Sequence, residues 1–471
     1  MKHRDFRDGR EALAAGATAR PAGRATWIEE AGANLALAIP IAIAFLSQMA
    51  TVFVDNVMVG RLGAAELAAG GLGANMMISP MLLGMGILSG IAAVAAHAFG
   101  ANDEAKVSTT IRQGLRLSAV VSLPCGGGIL AFVLLLPHIS YDEATVRMAR
   151  GVLLWSLPGI PAFLAFTALR NFVTAAHRPR VVTVVTMLSI GVTALSNYLF
   201  VYGSLGMPRL GVPGIGLTGT IVSWLQFLAV AGYVHLDGGF RRFHVFARLG
   251  RHDPVIWEIV HIGWPISGAY LFENGLFLVT TMLVGLFGAA ALAAHTVVIG
   301  LCSFTFMVPY SIGQAATVRV GRALGARENA EASWAGYVAL HLGVIWMLVA
   351  ATAFVTVPSQ LVGLYIDIDA PMNLPTLAIA LTLLPIAALF QVFDGTQAVA
   401  MGALRGLKDT RIPMGICFIG YWVIGLSAGA LLGFAFGRGA VGLWLGLALG
   451  LAVTATLLTL RFHRQVKRLA P

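Results

Sequence analysis

Long apolar runs, separated by short segments with charged residues, glycine or proline, fill most of this 471-residue chain. Twelve runs lie near 34–59, 70–98, 113–136, 150–173, 181–203, 212–235, 260–286, 293–319, 334–357, 376–402, 412–436 and 439–461. An α-helix needs about 20 predominantly apolar residues to cross a bilayer. The pattern therefore predicts an all-α integral membrane protein with twelve transmembrane helices.

Composition supports lipid as the solvent of this chain. Hydrophobic residues make up 58% of it and charged residues only 11%, whereas a soluble domain carries about 25% charged residues. No loop between the runs exceeds about 25 residues, so no soluble catalytic domain fits between them. We therefore expect a membrane protein that is not an enzyme.

Basic residues are distributed unevenly between the two sides of the predicted bundle. Of the 31 Lys and Arg residues, those in loops after odd-numbered runs are Arg61, Arg147, Arg150, Arg209 and Arg438. The positive-inside rule then places both termini and the central loop in the cytoplasm. The net charge of +10 follows from this topology, so we expect no nucleic-acid partner.

The sequence predicts no cofactor. The cysteines, Cys125, Cys302 and Cys417, lie far apart in apolar surroundings and lack metal-ligand spacing. The segment 402–410, GALRGLKDT, lacks the GxxxxGK[ST] spacing of a phosphate loop, which argues against an ATP-driven pump.

An internal repeat appears at an offset of 225 residues, where segment 39–69 aligns with segment 264–294. The residues held in register are Pro40 with Pro265, Gly60 with Gly285, Gly63 with Gly288 and Gly100 with Gly325. Each half has an even number of spans, so both enter the membrane in the same sense. We expect two six-helix bundles related by a pseudo-two-fold axis along the membrane normal, with a cleft suited to alternating access.

The repeat and the charged segments together predict five parts of the chain. They are a cytoplasmic N-terminal tail (1–33), an N-lobe (34–235), a cytoplasmic linker (236–259) that includes the basic stretch Arg241–Arg251, a C-lobe (260–462) and a cytoplasmic C-terminal tail (463–471).

Three acidic residues fall inside predicted spans: Asp55, Glu273 and Asp394. An Asp at a helix centre costs about 2.5–3.5 kcal/mol on insertion scales. One interpretation is that these carboxylates line a water-accessible cavity and bind a proton, a metal cation or a cationic substrate. A proton and a cation would compete for the same oxygen atoms, as antiport requires. The alternative is that each carboxyl group only hydrogen-bonds neighbouring helices.

Other polar and proline residues inside the spans are secondary candidates. Gln48 occupies the repeat position of Glu273, while Tyr421 and Thr220 supply hydroxyl groups either to the cavity or to ordinary interhelical hydrogen bonds. Pro40 and Pro265 remove backbone hydrogen bonds and are expected to bend their helices.

Several segments resemble the multidrug and toxic compound extrusion (MATE) family, and most closely its NorM-like bacterial branch. They are Pro40 with 55–60 (DNVMVG), Pro265 with Phe272-Glu273 and the segment ending at His295, 306–325 (FMVPYSIGQAATVRVGRALG), 391–411 (QVFDGTQAVAMGALRGLKDTR) and 197–203 (NYLFVYG). The resemblance covers roughly residues 30–465 and implies twelve helices in two lobes that form a V. It also implies efflux of cationic or polyaromatic compounds against inward H⁺ or Na⁺.

Matching positions assign roles within that resemblance. Asp55 is the acidic residue of the N-lobe with Asn197 as polar partner, and Glu273 and Asp394 are the cation-site pair of the C-lobe. Phe390 and Thr193 stand where some relatives carry an oxygen ligand, which leaves H⁺ and Na⁺ both open.

The expected partners are small cationic molecules and the lipid bilayer of the bacterial plasma membrane, with the protein a monomer. The alternative is a lipid-linked oligosaccharide flippase of the same superfamily. Such flippases carry Arg in the central cavity, whereas only acidic residues are expected in the cavity of this chain.

Overall fold

The computed structural model describes residues 26–138, 142–246 and 253–469. Within these ranges, twelve helices are long and apolar enough to cross a membrane. We number them α1 to α12: Trp27–Gly60, Ala64–Gly100, Glu104–His138, Glu143–Ala175, Arg180–Phe200, Pro213–Leu236, Val255–Gly285, Ala289–Gly325, Asn329–Thr356, Pro371–Gly406, Arg411–Ala435 and Gly439–Leu469. Short helices at Gly238–Arg241 and Pro358–Gly363 lie between them. The twelve predicted spans are confirmed.

Several helices extend beyond the apolar runs. Helix α1 begins at Trp27 rather than near residue 34, because Thr26 and Glu29 form a capping box that satisfies the first backbone N–H groups. Helix α12 continues to Leu469, past the predicted end of the C-lobe at 462. Most of the predicted N-terminal tail (1–25), part of the basic linker (247–252) and residues 470–471 lie outside the described residues.

The helices form two six-helix bundles, α1–α6 (the N-lobe) and α7–α12 (the C-lobe), related by pseudo-two-fold symmetry. The repeat is visible in backbone geometry, because Gly63 before α2 and Gly288 before α8 both have positive φ, at 151° and 107°. The turns that follow α2 and α8 match as well, with Asn102 and Arg327 left-handed at φ 54° and 64°. The same irregular turns recur at the predicted offset.

A reciprocal contact between α2 and α8 joins the lobes. A Cβ atom on Gly100 would lie 1.9 Å from the backbone oxygen of Arg322, and one on Gly325 would lie 2.1 Å from that of His97. His97 and Arg322 occupy equivalent positions in the repeat, as Gly100 and Gly325 do. The pseudo-two-fold axis therefore maps one contact onto the other. Glycine at these positions allows the backbones to touch, as small residues do between membrane helices.

Ion pairs connect the lobes at the side of the molecule where α1 begins and α12 ends, which we call the terminal face. Glu30 of α1 accepts from Arg319 Nε of α8 at 2.8 Å. Glu258 of α7 accepts from Lys106 Nζ of the N-lobe at 2.9 Å and from Lys408 Nζ of the C-lobe at 2.6 Å.

The hydrogen bonds and ion pairs recorded between described residues of the two lobes lie in the half of the helices near the terminal face, and the ring contact between the lobes lies near the middle of α1. They include Ser267 Oγ donating to Leu83 O at 2.7 Å and the edge-on contact of Phe45 with Tyr310 at 5.1 Å. The lobes therefore meet at the terminal face and diverge toward the opposite face, which produces the V.

Replacing Glu258 by Gln should weaken closure of the terminal face, because Lys106 and Lys408 would then repel each other without an intervening anion. Ion pairs this exposed stabilise the closed conformation by about 0–1 kcal/mol each. We therefore expect a few-fold rise in the fraction of molecules that are open at the terminal face. Spin labels at Ala105 and Ala330 would measure it by distance distributions at low and high salt. Glu104→Gln, which breaks a pair between α3 and Arg242 in the segment after α6, is the matched control. A Glu258→Gln distribution identical to that of Glu104→Gln would contradict the prediction.

Candidate functional site

The N-lobe carboxylate is held by a side chain from α5. Asn197 Nδ2 donates to Asp55 Oδ1 at 2.6 Å, joining α5 to α1. Asn197 is fully buried and its own Oδ1 has no hydrogen-bond partner among the described residues; the same holds for Thr193 Oγ1, one helical turn earlier. The pair expected from the resemblance is thus brought into contact, with unsatisfied oxygen atoms on the same helix.

A polar stripe along α10 forms the core of the C-lobe site. Gln391, Asp394 and Gln397 recur every three residues and therefore share one helix face. All three are buried, and Asp394 Oδ1 and Gln391 Nε2 have no hydrogen-bond partner among the described residues. Thr305 of α8 donates to Gln391 Oε1 at 2.8 Å. A buried carboxylate oxygen without a donor is available to a proton or a cation.

Gln397 connects the other predicted members of the C-lobe site. Its Nε2 makes a long hydrogen bond of 3.5 Å to Glu273 Oε1, and its Oε1 accepts from the Tyr421 hydroxyl at 2.9 Å. Tyr421 lies in widened π-helical turns of α11, a distortion that is frequent at functional sites. Glu273 and Asp394 are close enough to interact electrostatically. The structure thus groups Glu273, Asp394 and Tyr421, with Gln397 between them.

Two tyrosines separate the C-lobe site from the cleft. Arg405 Nη1 donates to the Tyr270 hydroxyl at 3.0 Å, and that hydroxyl lies 3.0 Å from the Tyr310 hydroxyl. Tyr270 and Tyr310 line both the pocket that contains Glu273 and the larger cavity between the lobes. A change in the acidic pocket can therefore reach the cavity through these two side chains.

The cavity between the lobes has about 590 Å³ of empty space, which includes solvent at its open side. The residues that line it come from α1, α2, α4, α5, α7 and α8 and include Phe45, Met85, Ser89, Arg170, Tyr270 and Tyr310. Apolar and aromatic side chains therefore share the walls of this cavity with polar ones.

The expectation that only acidic residues lie in the cavity is wrong, because Arg170 lines it. Arg405 is buried beside Glu273 of the C-lobe site. Both residues are near the ends of α4 and α10, where the sequence places them at the cytoplasmic surface. Contact between the lobes at the terminal face covers those helix ends, and sequence spacing gives no sign of that contact.

The remaining candidates lie elsewhere. Thr220 Oγ1 donates to Trp155 O of α4 at 2.6 Å, an interhelical hydrogen bond within the N-lobe. Gln48 is half-buried and has no side-chain hydrogen bond to a described residue. Pro40 and Pro265 lie inside continuous helices α1 and α7, and the Pro40 carbonyl accepts from Thr183 Oγ1 of α5 at 2.7 Å. A bend at either proline stays a prediction.

Glu273 and Asp394 are the sodium ligands expected in the sodium-coupled case. Carboxylate, amide and hydroxyl oxygens, which Glu273, Asp394, Gln397 and Tyr421 supply, suit a hard cation. Among described residues, no group of three or more His, Cys, Asp or Glu side chains could hold a metal ion. The donor set fits either a proton or a sodium ion.

Comparison with known proteins agrees with this architecture. The family model MatE matches residues 40–199 and 265–431, one block in each lobe. A multidrug resistance protein NorM from Burkholderia vietnamiensis is 42% identical over 92% of this chain and 94% of that protein. A probable multidrug resistance protein NorM from Mesorhizobium japonicum is 39% identical over 94% of this chain and 96% of that protein.

Solved structures share the fold. An outward-facing multidrug resistance MATE family transporter superposes with a TM-score of 0.85 at 17% identity, covering 94% of this chain and 97% of that one. A eukaryotic MATE transporter superposes with a TM-score of 0.82 at 19% identity, covering 94% and 98%.

Twelve membrane-spanning helices in two symmetric bundles around a cavity define a multi-pass membrane transporter rather than an enzyme. The chain belongs to the MatE family.

Proposed function

We propose that this protein is a secondary active multidrug efflux antiporter that exports cationic or polyaromatic compounds in exchange for inward H⁺ or Na⁺. The observation that carries the proposal is the buried carboxylate of Asp394, whose Oδ1 is without a partner among described residues and which interacts with Glu273, a residue of the smaller pocket behind Tyr270 and Tyr310. A buried ionisable group inside a membrane bundle is a functional site by default.

Binding and release of the ion can drive the lobes by population shift. An ion that binds Asp394 and Glu273 more tightly in one arrangement of the lobes favours that arrangement by its differential affinity. Tyr270 and Tyr310 transmit the change, since they line both the acidic pocket and the cavity. Asp55 with Asn197 provides a second ion or substrate position in the N-lobe.

We further propose that the terminal face is cytoplasmic and that the membrane is the bacterial plasma membrane. The basic residues Lys106, Arg319, Lys408 and Arg461 support this orientation, because they cluster at that face. The cleft would then open to the outside. We also propose a monomer, with residues 236–259 linking the lobes.

A lipid-linked oligosaccharide flippase is the second candidate, and Arg170 in the cavity is the observation that favours it. A pyrophosphate group carries several negative charges, whereas Arg170 is the one charged side chain among the described residues that line the cavity. The match of charge is therefore weaker than for a drug-sized substrate. Rescue of a flippase-deficient strain, together with failure to export any cationic dye, would favour the flippase.

Export of ethidium by proteoliposomes, with pH and sodium gradients imposed separately, tests the antiporter proposal. We expect one gradient to drive export and the other to have little effect. Export at the same rate with and without either gradient would overturn the antiporter proposal.

A further inference from the structure

Four side chains in the interior of the C-lobe each have a buried polar atom without a hydrogen-bond partner among the described residues. The atoms are Nδ1 of His295, Nε1 of Trp444, Nε2 of Gln391 and Oδ1 of Asp394. All four side chains are buried, and we call them the polar series. Buried polar groups in native proteins are almost always hydrogen-bonded, either to protein or to ordered water. Four exceptions in one bundle therefore indicate a place where water can enter its interior.

Ring contacts and helix spacing join the polar series from one end to the other. The ring of His295 on α8 meets that of Trp444 on α12 edge-on, with centres 5.7 Å apart. Trp444 in turn meets the ring of Phe390 on α10, at 5.4 Å. Phe390 precedes Gln391, which lies one turn from Asp394 on the same face of α10. The unpartnered atoms thus follow one another from His295 to Asp394.

Helix α8 lies along the same series. His295 is in its second turn, near the face opposite the terminal face. Cys302 follows seven residues later on the same side of the helix, about 10 Å along its axis. Cys302 is buried and interacts electrostatically with Asp394, while Thr305 donates to Gln391 Oε1 at 2.8 Å. His295 is therefore the outer end of the series and Asp394 its inner end.

Thr281 of α7 connects His295 to a half-buried position. Its hydroxyl lies 2.9 Å from His295 Nε2, and Phe277 O is an alternative acceptor for that hydroxyl at 2.8 Å. The hydroxyl can therefore donate to Nε2 or accept from it, so either nitrogen of the ring can carry the hydrogen. An imidazole that takes a proton on one nitrogen and releases one from the other passes a proton across its ring.

No charged side chain of the described residues interacts with His295. Its recorded neighbours, Thr281 of α7 and Trp444 of α12, are uncharged, and α12 carries its charged residues only from Arg461 onward, near the terminal face. His295 can therefore gain and lose a proton without breaking an ion pair. The titratable side chains that face the interior from the surrounding helices are Tyr270 and Glu273 on α7, Cys302 and Tyr310 on α8, Asp394 and Arg405 on α10, and Cys417 and Tyr421 on α11, with Tyr365 beside Cys302.

The chemistry of the polar series suits a proton and not a sodium ion. A hard cation such as Na⁺ is bound by several oxygen atoms, whereas imidazole suits transition metals. The outer part of the series offers imidazole and indole nitrogen atoms, and the ring of Phe390 lies between Trp444 and the inner part. A proton needs only a chain of hydrogen-bonding groups, and histidine with acidic residues forms such relays inside membranes.

We propose that His295 relays the coupling proton to Asp394 from the face opposite the terminal face. A proton from water beside Thr281 joins one nitrogen of the His295 ring. The other nitrogen releases its proton to water among the unpartnered atoms, and the Asp394 carboxylate takes that proton up. This inference rests on the proposed antiport function, and it narrows the coupling ion from H⁺ or Na⁺ to H⁺.

His295→Gln tests the relay in proteoliposomes that contain the full-length protein. Gln keeps a group that can hydrogen-bond Thr281 but cannot take up a proton. Proton transfer through a positioned side chain is worth about 100-fold or more in rate, and water can replace part of it. We therefore expect the initial rate of ethidium export driven by a pH gradient to fall about tenfold. Exchange of radiolabelled for unlabelled ethidium at equal pH should keep its wild-type rate, because it moves no net proton.

His341→Gln is the matched control, because His341 is an exposed histidine on α9 of the same lobe. It should leave both rates unchanged. An equal fall of both rates in His295→Gln would make His295 a packing residue and overturn the inference, and so would no fall in either rate. Thr281→Val keeps the shape of the side chain without the hydroxyl, and it should also slow gradient-driven export alone. It decides the question if His295→Gln does not fold.

Measurements on the wild type separate this inference from the proposed function. Export driven by a sodium gradient and not by a pH gradient would overturn the relay while the antiporter proposal stands. Export that neither gradient drives would remove the antiporter proposal and the relay together.

Discussion

Asp394→Asn is expected to reduce gradient-driven dye export to the level of passive leak while the protein still inserts and folds. Asn keeps the shape of the side chain but cannot take up a proton and has no charge for a cation. Asp394 is buried with an unpartnered oxygen, so the amide adds no clash with a recorded partner. The measurement is initial export rate in proteoliposomes with equal amounts of reconstituted protein.

The control is Asp369→Asn, because Asp369 is an exposed acid in the segment between α9 and α10. Its export rate should match that of the wild type. Normal coupled export by the Asp394→Asn protein would remove Asp394 from the mechanism and leave it as an interhelical packing group.

Gly100→Ala and Gly325→Ala are each expected to force the lobes apart at the terminal face. The added Cβ atoms would lie 1.9 Å and 2.1 Å from backbone oxygens of the opposite lobe. Backbone cannot move aside as a flexible side chain can, so the interface between the lobes must open. We expect the conformation closed at the terminal face to become a minor population, with export strongly reduced.

Spin labels at Ala105 and Ala330, exposed residues that are repeat partners, would report the separation. The native cysteines are all buried, which favours labelling at introduced positions. Gly71→Ala on α2 is the control, because a Cβ there meets nothing within 4 Å. Wild-type distances in both interface variants would show that the reciprocal glycine contact does not hold the lobes together.

The fold could be predicted from sequence because both the length of each apolar run and the repeated glycines can be read directly from the residues. Apolar length identifies each span, and Gly63 and Gly288 recur with Gly100 and Gly325 at one offset because they mark turns and close contacts. Helix ends were less predictable. Capping by Thr26 and Glu29 extends α1 beyond its apolar part, and hydropathy does not detect such polar contacts.

The site was only partly predictable. Acidic residues inside spans are conspicuous in sequence, and resemblance supplied Asn197 as the partner of Asp55. Gln391 and Gln397 could have been found from their three-residue spacing around Asp394. Arg170 could not, because its position in the cavity depends on contact between helices from both lobes near the terminal face.

The two lobes share a backbone plan but differ in polar chemistry. In the N-lobe, Asp55 has one recorded side-chain partner, Asn197. In the C-lobe, Glu273 lies with Gln397, Tyr421 and Arg405 around one pocket, and the buried Asp394 interacts with Glu273 from outside it. The duplication supplies two bodies that can rock against each other, and we expect ion coupling to reside mainly in the C-lobe.

Simultaneous recording of dye and ion movement in one proteoliposome preparation tests the central claim most directly. Ethidium leaving the vesicle lumen and the coupling ion, H⁺ or Na⁺, would be followed by separate fluorescent indicators. The account predicts that dye and ion move in opposite directions at a fixed ratio, and that both fluxes disappear in Asp394→Asn. Dye export without any counterflow of H⁺ or Na⁺ would contradict it.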